Sequence, residues 1–193
     1  GMSEKIPVAQ RLSAVKPSAT VAVAQRAREL KEQGIDVLSF SVGEPDFDTP
    51  VHIREGAKKA IDSGATRYTA VGGTVELREA ICDASAKRRP GITYKPSEVV
   101  VSVGAKHTLF NLALGLYDEG DEILIPAPYW VSYPEQVRLA GANPIIVETT
   151  EESGFRMTPE ALRAAITPKT KALILCSPSN PTGAAYTGEQ LRA

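Results

Sequence analysis

The feature that most limits the fold of this chain is a series of short apolar runs in its second half. The runs are rich in Val, Ile and Leu and lack the polar alternation of a strand that has one face in water. Such runs are typical of strands covered on both faces, as in a parallel sheet. They lie at Glu98 to Val103, Asp121 to Pro126, Pro144 to Thr149 and Ala172 to Cys176.

Helical segments separate these runs. They are predicted at Ala105 to Tyr117, Trp130 to Ala140 and Pro159 to Ile166, and a further helix begins at Thr187. Strands that alternate with helices predict an α/β fold, a three-layer α/β/α sandwich with a mainly parallel sheet. Because the chain stops within the first turns of that last helix, we expect it to be part of a longer protein.

The first part of the chain predicts three helices and one short strand. Ser18 is a good N-cap residue and Gly34 a good stop for the first helix. Thr49 and Pro50 suit the start of the second helix. The helices are expected at Ser18 to Gln33, Pro50 to Ser63 and Thr74 to Arg89, and the strand at Val37 to Ser41.

Composition excludes several classes of function. The net charge is −1, with basic residues spread along the chain, which disfavours nucleic acid or an anionic membrane as the main partner. The apolar stretch Leu109 to Leu116 is too short to span a bilayer. Cys82 and Cys176 lie in apolar patterns, typical of buried thiols in a reducing cytoplasm. His52 and His107 lack metal-site spacing, so no metal is expected and both are interpreted as structural.

The first candidate site is the junction of a predicted strand with a helix at Gly104, Ala105 and Lys106. Backbone N–H groups at a helix start, together with the helix dipole, bind phosphate well, and glycine permits a close approach. The spacing is not that of a Walker A loop or of a dinucleotide fingerprint. Many such junctions bind nothing, so a purely structural turn remains an alternative.

Two further candidates follow predicted strands. Trp130 lies in a segment rich in proline and aromatic residues, where its indole could stack on a planar cofactor or simply fill the edge of the core. Asn180 lies between prolines and could donate to a phenolate or carboxylate, or only shape a turn. A parallel sheet would bring these loops and the Gly104 junction to one rim. Together they suit a phosphorylated, planar, heteroaromatic cofactor.

At this point the chain resembles a known family, the class I aminotransferases with the type I pyridoxal-phosphate (PLP) fold, and within it the aspartate and prephenate branch. One matching pattern is Tyr68-Thr69 followed by Gly73 and by Leu77-Arg78. The other matching strings are Lys16-Pro17-Ser18-Ala19-Thr20, Gly43-Glu44-Pro45-Asp46-Phe47, Gly104-Ala105-Lys106, Pro128-Tyr129-Trp130-Val131-Ser132-Tyr133-Pro134 and Ser179-Asn180-Pro181-Thr182-Gly183. The resemblance implies that residues 1–46 form an N-terminal arm and small-domain segment, and residues 47–193 the first part of the PLP-binding large domain.

The resemblance also implies how the cofactor is held. Gly104, Ala105 and Lys106 would bind the PLP phosphate. Trp130 would stack on the pyridine ring, and Asn180 would hydrogen-bond its phenolic oxygen.

The substrate and the partner subunit have implied residues too. Asn180 would also help hold the substrate carboxylate, Gly43 would approach the substrate through its backbone, and Trp130 would contact the substrate as well as the cofactor. Lys16 would contact the side-chain carboxylate of a dicarboxylic substrate, with an ordinary solvated lysine as the open alternative. Tyr68 would reach the cofactor phosphate of a neighbouring subunit, which implies a homodimer with active sites at the interface.

Three family features are missing from this chain: the Schiff-base lysine, the aspartate that pairs with the pyridine nitrogen and the C-terminal arginine that binds the α-carboxylate. The Schiff-base lysine of the family follows a run of small residues late in the large domain, and neither Lys106, Lys169 nor Lys171 has that context. We therefore expect no catalytic residue in this chain and no activity of the chain by itself. Cys176 stands where many relatives have Asn, and we expect little consequence.

The expected activity of the parent protein is PLP-dependent transfer of an amino group between aspartate, or a related dicarboxylic amino acid, and a 2-oxo acid such as 2-oxoglutarate. One alternative is another enzyme of the same fold, such as an aromatic or kynurenine aminotransferase or a lyase. For the 193-residue chain alone, the alternative is a catalytically inactive fragment.

Overall fold

A computed structural model describes residues 6–193, and these residues form helices joined to a small sheet. The chain divides into two compact units, one of residues up to Ser41 with Leu109–Ala193, the other of Val42–Thr108. The helices and strands, in chain order, are α1 Ala19–Glu32, α2 Val51–Asp62, α3 Val75–Arg88, α4 Gly104–Leu116, β1 Glu122–Pro126, α5 Ser132–Leu139, β2 Asn143–Val147, α6 Pro159–Ala165, β3 Thr170–Leu173 and α7 Gly188–Arg192. Short 3₁₀ helices lie at Gln10–Ala14 and Pro96–Glu98.

The sheet belongs to the first unit and is parallel. Its order is β2-β1-β3, with β1 paired to both neighbours. The register places Leu124 opposite Ile145 on one side and Leu173 on the other. The predicted α/β class with a parallel sheet is therefore confirmed. Each strand is followed by a loop at the same edge, so the loops after β1 and β3 are neighbours.

The core of the first unit is built on β1. Ile123, Leu124 and Ile125 are almost completely buried, as the apolar run predicts for a central strand covered on both faces. Val137 of α5 is also fully buried, and α5 packs against β1 and β2. In β3, by contrast, half-buried and exposed residues alternate.

Helix starts follow the capping signals in the sequence. Ser18 accepts a hydrogen bond from the Val21 N–H and so caps α1, and Thr74, Thr158 and Thr187 cap α3, α6 and α7 in the same way. Thr49 was expected to cap the second helix and does not. There Pro50 is the N-cap residue, and no side chain caps α2.

Two predicted strands do not form. Val37 to Ser41 is neither strand nor helix, and Leu38 and Phe40 are 83% and 95% exposed. Glu98 to Val103 begins as the end of a 3₁₀ helix and continues without strand pairing. A strand needs a neighbour that supplies a ladder of backbone hydrogen bonds. Within residues 6–193 neither run belongs to a sheet, although the Val101 N–H does donate to the Gly72 carbonyl.

The second unit holds Gly73 close to the segment that leads into α4. The Val101 N–H donates to the Gly72 carbonyl at 2.9 Å. A Cβ on Gly73 would lie 2.6 Å from Val101 Cγ2, and the φ of Gly73 is +102°. Only glycine therefore fits here without strain.

Two further predictions about the chain concern its division into domains and membrane-spanning helices. The division at residue 46 concerns the domains of a parent protein and stays a prediction. Among the described residues, none of the helices combines the length and the apolar character that a bilayer crossing requires.

Candidate functional site

The loops after β1 and β3 converge around a small cavity in the first unit. Its volume is about 20 Å³, which is room for a water molecule and not for an organic cofactor. The cavity therefore marks where the two loops meet and is not itself a binding chamber. It is lined by Pro126, Ala127, Pro128, Tyr129, Tyr133, Phe155, Ile174, Leu175, Cys176, Ser179, Asn180 and Tyr186.

Trp130 lies beside this cavity and is half-buried. Its ring contacts that of Tyr133 edge to face, with ring centroids 5.5 Å apart and planes at 89°. It also packs against the core cluster that contains Ile123 and Val137. Trp130 thus has a structural contact of the kind that the core-edge alternative predicts, and its stacking on a cofactor stays a prediction.

Asn180 lies in a tight loop and lines the cavity with an exposed side chain. The loop is closed by backbone hydrogen bonds from the Ser179 N–H to the Ala184 carbonyl and from the Gly183 N–H to the Ser179 carbonyl. The peptide bonds before Pro178 and Pro181 are cis. The turn is therefore built by the backbone, which leaves the Asn180 carboxamide at the surface of the loop.

Tyr133 and Cys176 both line the cavity wall. Burial raises the pKa of Tyr133 to about 12, and the neighbouring Cys176 thiol adds to the shift. The thiol donates to the Pro178 carbonyl at 3.3 Å. Sequence reasoning gave neither side chain a role at the site. The spacing of Tyr133 three residues after Trp130 was the available signal, since residues i and i+3 of a helix share a face.

Lys16 is tied to α5 through its backbone. Its N–H donates to Glu135 Oε2 at 3.0 Å, and Glu135 Oε1 accepts from Arg138 Nη1 at 2.7 Å. The Glu135 and Arg138 side chains are 20% and 29% exposed. Sequence reasoning missed Glu135, because a Glu and an Arg three residues apart predict only a pairing along the helix.

In the second unit, Gly104, Ala105 and Lys106 form the first turn of α4. The φ of Gly104 is +77°, and a Cβ there would meet nothing within 4 Å. The backbone at Gly104 is thus open to approach. The Gly104 N–H donates to the Ser102 carbonyl at 2.9 Å. The sequence predicted that the Gly104 N–H is available to a phosphate, whereas in the structure it already donates to the Ser102 carbonyl.

His107 also supports this turn, in keeping with the structural role that the sequence predicted for it. Its Nδ1 accepts from the Val103 N–H at 3.1 Å and so satisfies a donor just before the helix. The other candidates of this unit, Gly43 and Tyr68, lie in exposed segments outside the helices. Tyr68 is as exposed as an isolated tyrosine.

Each unit, taken by itself, carries groups of a kind that a phosphorylated aromatic cofactor requires. In the second unit, the open glycine backbone at the start of α4, in whose first turn Lys106 also lies, suits a phosphate. In the first unit, Trp130 offers an aromatic ring and Asn180 an exposed carboxamide. No cluster of three or more potential metal ligands occurs within residues 6–193.

Known proteins resemble the chain over nearly its whole length. The model of the aminotransferase class I and II family matches residues 35–193. The aspartate aminotransferase of Geobacillus stearothermophilus is 54% identical over 96% of this chain and 47% of its own length. The aspartate/prephenate aminotransferase of Cereibacter sphaeroides is 54% identical over 94% of this chain and 45% of its own length.

Solved structures show the same relation. The aspartate aminotransferase of Thermus thermophilus with maleate has a TM-score of 0.92 and 49% identity, and the match covers 97% of this chain and 49% of that one. The aspartate aminotransferase of Rhizobium meliloti also has a TM-score of 0.92, with 42% identity. The chain thus spans about half the length of the relatives that it matches.

Proposed function

The chain belongs to the class I and II aminotransferase family, and from this premise we propose that the whole protein is a PLP-dependent transaminase. Its amino donor would be aspartate or a related dicarboxylic amino acid, and its acceptor a 2-oxo acid such as 2-oxoglutarate. The observation that carries this proposal is the identity of 54% with an aspartate aminotransferase over 96% of the chain. The TM-score of 0.92 to a solved aspartate aminotransferase supports it.

The cofactor-binding residues are proposed from the resemblance and from the local structure. The helix start at Gly104, Ala105 and Lys106 would bind the phosphate, because it is open and positively polarised. Gly104 would contribute the space for a close approach, since its own N–H already donates to the Ser102 carbonyl. Trp130 would orient the pyridine ring, and Asn180 would donate to its phenolic oxygen. When bound, PLP supplies the electron sink that lets the α-proton of an amino acid leave.

The proposed substrate-binding residues are Lys16, Gly43, Trp130 and Asn180. Lys16 would bind the side-chain carboxylate of the substrate, Gly43 would contact the substrate through its backbone, and Asn180 would help hold the α-carboxylate. A charge-assisted hydrogen bond from an ammonium to a carboxylate is worth about 1.5–3 kcal/mol. Loss of the Lys16 ammonium should therefore reduce specificity for dicarboxylic substrates by roughly ten- to hundred-fold.

The proton-transferring lysine would lie outside this chain. Lys169 and Lys171 lie at the start of β3, whereas Asn180 follows the far end of that strand. The chain would therefore bind and orient, while the remainder of the protein moves the proton. We also propose a cytoplasmic homodimer in which Tyr68 reaches the phosphate site of the partner subunit.

The test is a transamination assay on the whole purified protein. Aspartate with 2-oxoglutarate should yield glutamate faster than phenylalanine or kynurenine does. Trp130→Ala should weaken PLP binding, measured by dialysis and absorbance, and should slow turnover while the melting temperature stays close to that of the unchanged protein. A large loss of thermal stability with normal activity per folded molecule would instead make Trp130 a core residue. Preference for kynurenine or phenylalanine would contradict the proposed substrate class.

A further inference from the structure

We infer that Glu135 is a positioning residue that holds Lys16 in place to bind the side-chain carboxylate of a dicarboxylic substrate, which rests on the proposed function. Glu135 lies in α5, and Lys16 lies in the segment between the first 3₁₀ helix and α1. The Lys16 N–H donates to Glu135 Oε2 at 3.0 Å across 119 positions of the chain. A side chain of α5 thus fixes the backbone of a candidate substrate-binding residue.

The segment around Lys16 has few other backbone anchors. The Val15 N–H is used within the 3₁₀ helix, where it donates to the Leu12 carbonyl. Pro17 has no N–H to donate. The Ser18 side chain is occupied as the cap of α1. The Lys16 N–H is therefore the backbone donor through which this segment is tied to α5.

The charges are distributed so that the ammonium of Lys16 stays available. The second oxygen of Glu135 accepts from Arg138 at 2.7 Å, so Arg138 balances the carboxylate charge. Within residues 6–193, the structure records no hydrogen bond or ion pair of the Lys16 ammonium. The backbone of Lys16 is held by Glu135, while its positive charge remains for an anionic ligand.

The helix that carries Glu135 is itself firmly placed. Val137 is 0% exposed and Tyr133 is 9% exposed, so α5 is anchored in the core on both sides of Glu135. Tyr133 also contacts the ring of Trp130. The same helix therefore locates Lys16 and the residue proposed to stack on the cofactor, which sets where a substrate carboxylate can be bound relative to the ring.

The first test is a double-mutant cycle on the whole holoenzyme. Glu135→Ala should lower kcat/KM for aspartate on the order of tenfold relative to phenylalanine, mainly through KM. Glu135→Gln keeps one acceptor oxygen and should restore part of that loss. In a Lys16→Ala background, which retains the backbone N–H, Glu135→Ala should change the ratio no further, because both changes act through one ammonium.

Arg138→Met is the matched control, since it removes the ion pair and keeps the acceptor at Glu135. It should change the aspartate to phenylalanine ratio by less than about threefold. Equal losses on both substrates in Glu135→Ala, additive with Lys16→Ala, would make Glu135 merely structural and overturn the inference. An unchanged ratio in Lys16→Ala would overturn both this inference and the proposed role of Lys16.

The second test does not depend on activity. Hydrogen exchange of the Lys16 amide, followed by mass spectrometry of the whole protein, should be faster in Glu135→Ala and close to unchanged in Arg138→Met. Unchanged exchange in Glu135→Ala would overturn the tie itself. Faster exchange in a protein without any transaminase activity would confirm the tie and show that the proposed function is the part that fails.

Discussion

At the scale of residues, Gly73 occupies a position where only glycine fits without strain. Its φ of +102° disfavours every other residue, and an added Cβ would lie 2.6 Å from Val101 Cγ2. Gly73→Ala should therefore lower the free energy of unfolding by about 2 kcal/mol or more, measured by urea denaturation.

Gly91 supplies the matched control for this substitution. Its φ is +91°, but a Cβ there would meet nothing within 4 Å. Gly91→Ala should thus report the backbone strain alone, about 1 kcal/mol. Equal losses of unfolding free energy in Gly73→Ala and Gly91→Ala would show that Val101 moves away from the added Cβ without an energetic penalty.

Tyr133 gives the protein a pH dependence with a definite sign. Burial raises its pKa from 10.0 to about 12 in the folded protein. Below pH 10 both folded and unfolded states keep the proton, and above it the unfolded state releases the proton first. The free energy of unfolding should therefore fall as the pH rises from 10 toward 12.

Tyr133→Phe removes this titrating group and should make the decline shallower in urea titrations at about pH 9 and about pH 11. Burial also raises the pKa of Tyr117, so Tyr117→Phe gives a second comparison and some decline should persist in either variant. An identical pH dependence in Tyr133→Phe and the unchanged protein would contradict the assignment.

At the scale of elements, the helix-capping residues make a measurable contribution to the free energy of unfolding. Thr74 Oγ1 accepts from the Leu77 N–H at 3.3 Å at the start of α3. Thr74→Ala should lower the free energy of unfolding by about 1 kcal/mol, because that N–H then depends on water. Thr74→Ser keeps the hydroxyl and should lose much less. Similar losses in both would point to the Thr74 methyl group instead of the cap.

Local signals predicted the helices well because the causes lie within a few residues. Ser18 caps the helix that the sequence assigned to it, and Thr74 and Thr158 cap helices that were predicted to begin at or next to them. The runs at Val37 to Ser41 and Glu98 to Val103 have equally strong apolar composition, yet they form no strand within the described residues. Strand formation depends on a distant partner, and composition does not reveal whether a partner is present.

The candidate site, like the fold, could be predicted only in part from the sequence. The loops at Trp130 and Asn180 were expected to meet because each follows a parallel strand, and Asn180 does line the cavity beside Trp130. The hydrogen bond from Lys16 to Glu135 spans 119 positions and has no local signal. The sequence predicted a structural role for His107 but not the hydrogen bond that its Nδ1 accepts from the Val103 N–H.

At the scale of the whole molecule, many large apolar side chains lie at the surface. Phe40 is 95% exposed, Val71 is 101% exposed and Val103 is 88% exposed. Apolar surface of this kind promotes association. The 193-residue chain expressed by itself should therefore self-associate or bind a hydrophobic dye, as light scattering and dye fluorescence can measure.

The same isolated chain should not attach PLP covalently at one specific lysine or catalyse transamination. The chain from Lys171 to Cys176 covers roughly 15 Å, which a lysine side chain cannot reach across toward Asn180. Borohydride reduction with PLP and peptide mapping should find only low, scattered labelling. Stoichiometric labelling of one lysine, together with aspartate-dependent glutamate formation, would contradict this expectation.

The hydrogen bond between Lys16 and Glu135 also has a consequence during synthesis. A ribosome adds about 5–20 residues per second, so the 119 positions between the two residues take roughly 6–24 s. For that interval Lys16 is already part of the growing chain, whereas Glu135, which accepts its hydrogen bond, has not yet been added. The segment before α1 can therefore take its final place only after α5 leaves the ribosome, so the beginning of this chain is among the later parts to settle.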